Sequence, residues 1–131
     1  MEKVTVYVDW DDNFGACVEG VCCVAVGDTL SEVKKKIRYS LPLHLASMRE
    51  DGDDIPLALQ GAYELVFSLS TQAIIKAAEA IVTQPALSRA AGVNRQQLSH
   101  YATGCRNPRP AQRERILKGV HRLGQDLLSI A

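Results

Sequence analysis

Two groups of side chains in this 131-residue chain have the types and spacing to do more than pack. The first is Arg95, Gln96, Gln97, Ser99 and His100, a polar run with two adjacent amides. Such groups read base edges in the major groove: glutamine pairs bidentately with adenine, and arginine with guanine or with phosphate. The second is Asp9-Trp10-Asp11-Asp12-Asn13-Phe14, three carboxylates around two aromatics. Clustered carboxylates can hold Mg²⁺ for phosphodiester cleavage, whereas aromatics flanked by charge anchor protein interfaces. A metal site needs carboxylates converging from several elements, and here they crowd one predicted loop. No metal site, catalytic residue or cofactor is therefore expected, and turnover lost on Asp9→Asn would be the sign of the nuclease alternative. Trp10 and Phe14 are the first candidates for partner contact, with Phe14 equally placed to begin a core strand. His44 and His121 have no Ser, Cys or Asp partner at a recognisable spacing. Cys17, Cys22, Cys23 and Cys105 show no C-x-x-C pairing, so reduced thiols are expected.

The elements that must carry these groups divide the chain. Val4, Val6 and Val8 alternate as strand one, and Phe14 to Val18 and Val21 to Val26 predict strands two and three across a tight Glu19-Gly20 turn. Thr29-Leu30-Ser31-Glu32 has the form of a capping box, with Glu32 reaching back to the Thr29 N–H. Leu30, Val33, Ile37, Leu41, Leu45 and Met48 then form an apolar stripe on a helix ending near Asp51-Gly52. Pro42 inside it predicts a kink or a short break. Residues 55 to 61 look irregular, and Tyr63, Leu65, Phe67 and Leu69 alternate as a fourth strand. The fold class expected is α+β: a small antiparallel sheet with one helix in the order βββαβ over residues 1–69, then an all-α part over 70–131.

Helical periodicity governs the second part. Ala73, Ile74, Ala77, Ala78 and Ile81 predict a helix closing near Thr83. From Gln84 to Tyr101 the pattern is helix, glycine-bearing turn, helix: Pro85 suits a first turn, Gly92 a left-handed end, and Asn94 a cap. Leu87, Ala91, Val93, Leu98 and Tyr101 supply the apolar contacts, which leaves Arg95, Gln96, Gln97, Ser99 and His100 facing outward. A last helix from about Pro110 carries Ile116, Val120, Leu123, Leu127 and Ile130 on one seam, suited either to core packing or to a dimer contact.

Residues 71 to 118 resemble the DNA-binding helix-turn-helix of the Xre and Cro class of repressors. The resemblance extends into Gly104-Cys105-Arg106-Asn107-Pro108, a Gly-x-x-x-Pro stretch that in that class lies near the phosphate backbone. It implies DNA contacts from Gln84, Arg95, Gln96, Gln97, Ser99, His100, Arg106, Asn107 and Arg109. It departs at Ser88, where the class usually has alanine. Residues 3 to 69, with Asp9 to Ala16 followed by Gly27-Asp28-Thr29-Leu30-Ser31-Glu32-Val33, resemble a HicB antitoxin, departing at Glu19-Gly20-Val21 where many relatives carry a proline-rich turn. That resemblance implies a truncated RNase H-like fold that binds and blocks a HicA-type toxin, a small basic RNA-cleaving protein. It also implies that the C-terminal part represses the operon on operator DNA, and that Asp9, Trp10, Asp11, Asp12 and Phe14 meet the toxin.

Charge agrees with a division of labour. The net charge of zero conceals six basic against twelve acidic residues over 1–70, or −6, and nine against three over 71–131, or +6. A basic part suits a polyanion, and an acidic part suits a basic partner. No apolar run is long enough to span a membrane, and Met1-Glu2-Lys3 leads straight into a strand-like segment rather than a signal peptide, so a cytoplasmic protein without membrane contact is expected. A homodimer or homotetramer is expected, since helix-turn-helix repressors usually bind paired half-sites. The alternative is a ligand-sensing repressor with no toxin partner. No glycine-rich phosphate loop supports it, and an adjacent short reading frame for a small basic protein would decide between the two.

Overall fold

Val4, Val6 and Val8 are buried on one face of β1 (Glu2–Asp11) in the computed structural model, which describes all 131 residues. The alternation carries on to Trp10, so the strand outlasts its valines. β2 (Asn13–Val18) returns antiparallel, with Trp10 opposite Phe14 and Asp9 opposite Gly15. Only Asp12 makes the reversal, at φ 64°, a left-handed conformation that Asp tolerates because its short side chain can bond locally. The predicted loop over residues 9 to 13 is thus corrected: Asp9, Trp10 and Asp11 are strand residues.

β3 (Val24–Gly27) pairs antiparallel with β2, Cys17 opposite Val24. The expected two-residue turn is also corrected. The Val18 N–H bonds to the Cys23 carbonyl at 3.0 Å across a loop in which Gly20 takes φ 90°, so Val21, Cys22 and Cys23 precede the strand. Cys23 is buried, Cys17, Cys22 and Cys105 are exposed, and all four thiols are free. Burial first, and then the neighbouring Cys17, push the Cys23 thiol above its ordinary value, which keeps it protonated.

α1 (Leu30–Glu50) starts at Thr29, whose hydroxyl accepts from the Glu32 N–H at 3.1 Å. The Glu32 carboxylate accepts chiefly from the Asp28 N–H at 3.0 Å, one residue further back, with the expected Thr29 N–H as its weaker backbone partner. The helix buries Val33, Ile37, Leu41 and Leu45 and runs unbroken through Pro42, which is exposed along with Arg38, the residue whose carbonyl loses its donor. It ends as predicted near Gly52, at φ 74°, with the Gly52 N–H on the Arg49 carbonyl and the Asp53 N–H on the Met48 carbonyl, a Schellman closure. A short 3₁₀ turn, Leu57–Leu59, buries Leu59.

β4 (Tyr63–Leu69) runs parallel to β1, Val4 opposite Leu65 and Val8 opposite Leu69, giving the order β3-β2-β1-β4. The sheet is therefore mixed, not antiparallel as expected. A meander leaves β3 running in the direction of β1, α1 carries the chain back, and the next strand must re-enter in that same direction.

Residues Met1–Ser70 form one compact unit and Thr71–Ala131 a second. The second consists of α2 (Thr71–Glu79), α3 (Gln84–Ala91), α4 (Arg95–Thr103) and α5 (Pro110–Leu128). Ile75, Leu87, Leu98, Ala102 and Ile116 are fully buried among its core residues. α2 closes four residues before the expected Thr83, because Thr83 is the N-cap of α3, its hydroxyl accepting from the Ala86 N–H. Ile81 is thereby left 74% exposed outside the helix. The chain is α+β with a helical C-terminal part, and none of its helices is long and apolar enough to cross a membrane.

Candidate nucleic-acid interface

Three residues separate α3 from α4, and each has a distinct task. Gly92 ends α3 at φ 67° with its N–H on the Ser88 carbonyl at 2.9 Å. Val93 buries its side chain, and its carbonyl accepts from the Ser88 hydroxyl. Asn94 caps α4, its Oδ1 accepting from the N–H groups of Gln96 at 2.9 Å and Gln97 at 3.4 Å. α4 then turns Leu98, Tyr101 and Ala102 inward, which fixes the outward face by helical period.

That face is polar and only shallowly indented. Asn94, Gln96, Gln97, His100 and Arg106 line a cleft of about 410 Å³, open to solvent. Arg95 and Gln96 are exposed, while Gln97, Ser99 and His100 are half-buried. Arg106 is brought there by Gly104, which ends α4 at φ 78°, and by a bond from the Arg106 N–H to the His100 carbonyl at 3.3 Å. Asn107 and Arg109 are exposed on the same segment leading into α5. The electrostatics are one-sided: residues 80 to 113 contain Arg89, Arg95, Arg106, Arg109 and Arg113 and no carboxylate. An open cleft lined by amides, an imidazole and a guanidinium can donate to and accept from a base edge, and the surrounding arginines attract phosphate.

Not every residue expected in this interface reaches the cleft. Gln84, at the start of α3, donates from Nε2 to Glu79 Oε1 at 2.6 Å and stands outside the cleft's lining, as do Arg95, Ser99, Asn107 and Arg109. Gln112 escaped sequence reasoning: its Nε2 donates to Gln97 Oε1 at 3.1 Å from the first turn of α5, fifteen residues away. No local spacing signals a contact made between two helices. α4 is held from behind by Gln72 of α2, whose Nε2 donates to the Ala102 carbonyl at 3.1 Å, while Arg113 ties α5 to α2, its Nη1 donating to Thr71 Oγ1 at 2.8 Å.

The second expected site is placed differently from its sequence reading. Trp10 and Phe14 meet edge to face, centroids 4.9 Å apart at 73°, on the α1 side of the sheet. Phe14 is 4% exposed and supports Trp10 from within the core, while Trp10 is half-buried. Asp9 and Asp11 are exposed on the opposite face and Asp12 on the turn. Asp9 Oδ1 is occupied, accepting from the Trp10 N–H at 2.8 Å and from Ser70 Oγ at 2.6 Å. The three aspartates do not converge, and no three His, Cys, Asp or Glu side chains are grouped to hold a metal ion. Asp9 and Asp11 share their face with Tyr7, Val24, Val26 and Val66, all exposed.

No protein-family model and no curated protein matches the chain.

Proposed function

We propose that this protein is an antitoxin of the HicB type: residues 1–69 bind and occlude a HicA-type toxin, and residues 70–131 repress the operon by binding its operator. The observation that carries the reading is the cleft on α4, where Gln96, Gln97, His100 and Arg106 converge in a segment free of carboxylates. A short helix that directs two amides, an imidazole and nearby arginines toward solvent makes a poor core element and a good probe of base edges. The acidic unit complements it. A toxin that holds RNA must be cationic, and a −6 surface raises its encounter rate and covers its RNA-binding face. Neutralisation is occlusion rather than chemistry, so the protein acts without a catalytic residue, metal or cofactor, in the cytoplasm.

Operator binding by paired copies fits the apolar ends of α2 and α5. Ala78, Val82, Val120, Leu123 and Gly124 line a groove of about 150 Å³ flanked by Ile81 and Leu127. An apolar groove whose lining includes the exposed Ile81 and Leu127 is a surface that a second copy would cover about a two-fold axis. A tetramer would add a second contact.

The test pairs two assays on the full chain. A mobility shift compares the DNA upstream of its own gene with a scrambled duplex, and co-expression asks whether the chain restores growth to cells making the neighbouring small basic protein. A selective shift together with growth rescue is expected. Selective DNA binding without rescue would leave a repressor and remove the antitoxin.

A further inference from the structure

The Gln97 amide is oriented before any ligand arrives. Its Oε1 accepts from Gln112 Nε2 at 3.1 Å, and Gln112 Oε1 accepts from Arg115 Nη1 at 3.4 Å. A guanidinium can only donate, so the exposed Arg115 contact favours the Gln112 oxygen on its side, and the shorter Gln112–Gln97 bond passes that bias to the Gln97 amide. The relay therefore has a preferred polarity. It turns the Gln97 oxygen toward α5 and leaves the Nε2 hydrogens for the cleft that Gln97 lines with Gln96, His100 and Arg106.

We propose that Gln112 is a specificity-determining positioning residue, locking Gln97 as a hydrogen-bond donor toward the base edge; this rests on the DNA-binding reading above. A donor amide selects an edge rich in acceptors. Guanine offers two acceptors, O6 and N7, and thymine offers O4, whereas adenine sets its N7 acceptor beside an N6–H donor and cytosine presents only an N4–H donor. Gln97 thus favours guanine or thymine at its base pair. The bidentate pairing with adenine, which needs both ends of an amide, falls to Gln96, which is exposed and lies outside this relay. Gln112 touches no base in this arrangement. It acts through Gln97.

Selection from a random duplex library with the full-length protein tests the inference, alongside Gln97→Ala, Gln112→Ala and Gln112→Glu. Gln97→Ala identifies the base position that Gln97 reads, as the one whose preference disappears. Wild type is expected to favour guanine or thymine there, and Gln112→Ala to weaken that preference about fivefold, the worth of one hydrogen bond. Gln112→Glu is the sharper arm. A carboxylate cannot donate to Gln97 Oε1 and accepts from its Nε2 instead, reversing the amide and shifting the preference toward cytosine or adenine. The readout is the ratio between bases. A merely structural role would weaken all sequences together, and thermal melting of each variant registers that loss separately. If wild type enriches no sequence, the DNA-binding reading fails and takes this inference with it. If wild type enriches a motif but Gln97→Ala erases no position, or both Gln112 variants keep the same base at the same strength, this inference alone is overturned.

Discussion

Gln96 and Gln97 carry the first prediction, because both line the cleft and neither belongs to the buried core. Replacing both with alanine is expected to remove operator discrimination, about 1–3 kcal/mol for each well-made base contact, while toxin neutralisation is retained. Competition between operator and scrambled duplex measures the first effect and growth rescue the second, and loss of both would break the separation of tasks. At this scale the sequence was readable wherever a residue acts on its own neighbours. Gly92 in the left-handed region, Asn94 as a cap and Thr29 as a cap follow from local chemistry. Ser88 was legible only as small. Its hydroxyl donates to the Val93 carbonyl across the turn, an interaction that an alanine cannot make and that no spacing rule announces. Gln112 and Gln84 likewise owe their roles to partners on other elements, Gln97 and Glu79.

Among the elements, the helices were easier to locate than the strands, for a physical reason. A helix is bounded by its own caps and its 3.6-residue stripe, so α1 and α5 begin where Thr29 and Pro110 place them. A strand is bounded by partners elsewhere in the chain. β1 extends to Asp11 because β2 pairs with it that far, and β4 lies parallel because α1 reverses the chain's direction. Two element-scale predictions follow from the helices. Lys36, followed by the Asp28 N–H, holds the Glu32 carboxyl below its ordinary value of 4.5. A lowered folded value contributes stability that is complete above 4.5 and fades as pH falls through the folded value. Glu32→Gln is therefore expected to melt below wild type at neutral pH, with the gap closing on acidification; a gap unchanged at pH 3 would contradict the assignment. Gly119 packs against α3, where an added Cβ would lie 2.8 Å from Ala91 Cα and Cβ, whereas a Cβ at Gly124 meets nothing within 4 Å. Helix propensity alone treats the two glycines alike, each a weak point of α5. Gly119→Ala is expected to destabilise the second unit by up to about 2 kcal/mol, an overpacking cost of about 1–3 kcal/mol set against a gain of about 1 kcal/mol in helix propensity. Chemical denaturation measures the balance.

For the molecule as a whole, opposite charge on the two units was written in the sequence, and the assembly state was not. The expected seam divides along its length: Ile116 and Gly119 are buried in α5, Leu127 is 50% exposed near its end, and Ile130, expected on the helix, lies beyond its last residue Leu128 and is 78% exposed. A seam that reads as either core or dimer contact is core at its start and uncovered at its end. Ile81 reaches the same surface only because α2 stops at Glu79, which helical periodicity did not foresee. Exposure makes the test clean. In a lone chain, Ile81→Asp with Leu127→Asp changes side chains already largely in water and is expected to alter folding stability by no more than about 0.5 kcal/mol each. In a two-fold dimer the same change places four carboxylates at one apolar contact, where unpaired charge is strongly unfavourable. Sedimentation equilibrium is expected to give twice the chain mass for wild type and the single-chain mass for the double variant, which stays folded by circular dichroism and loses only the concentration-dependent part of the melting temperature that dimerisation supplies. Affinity for a duplex holding two half-sites one helical turn apart should fall with it, while affinity for a single half-site holds, because the second half-site binds tightly only when the two reading helices are physically linked. A wild type that stays at single-chain mass across the concentration range, yet binds the paired site more tightly than the single one, would place the coupling on the DNA and not on this apolar surface.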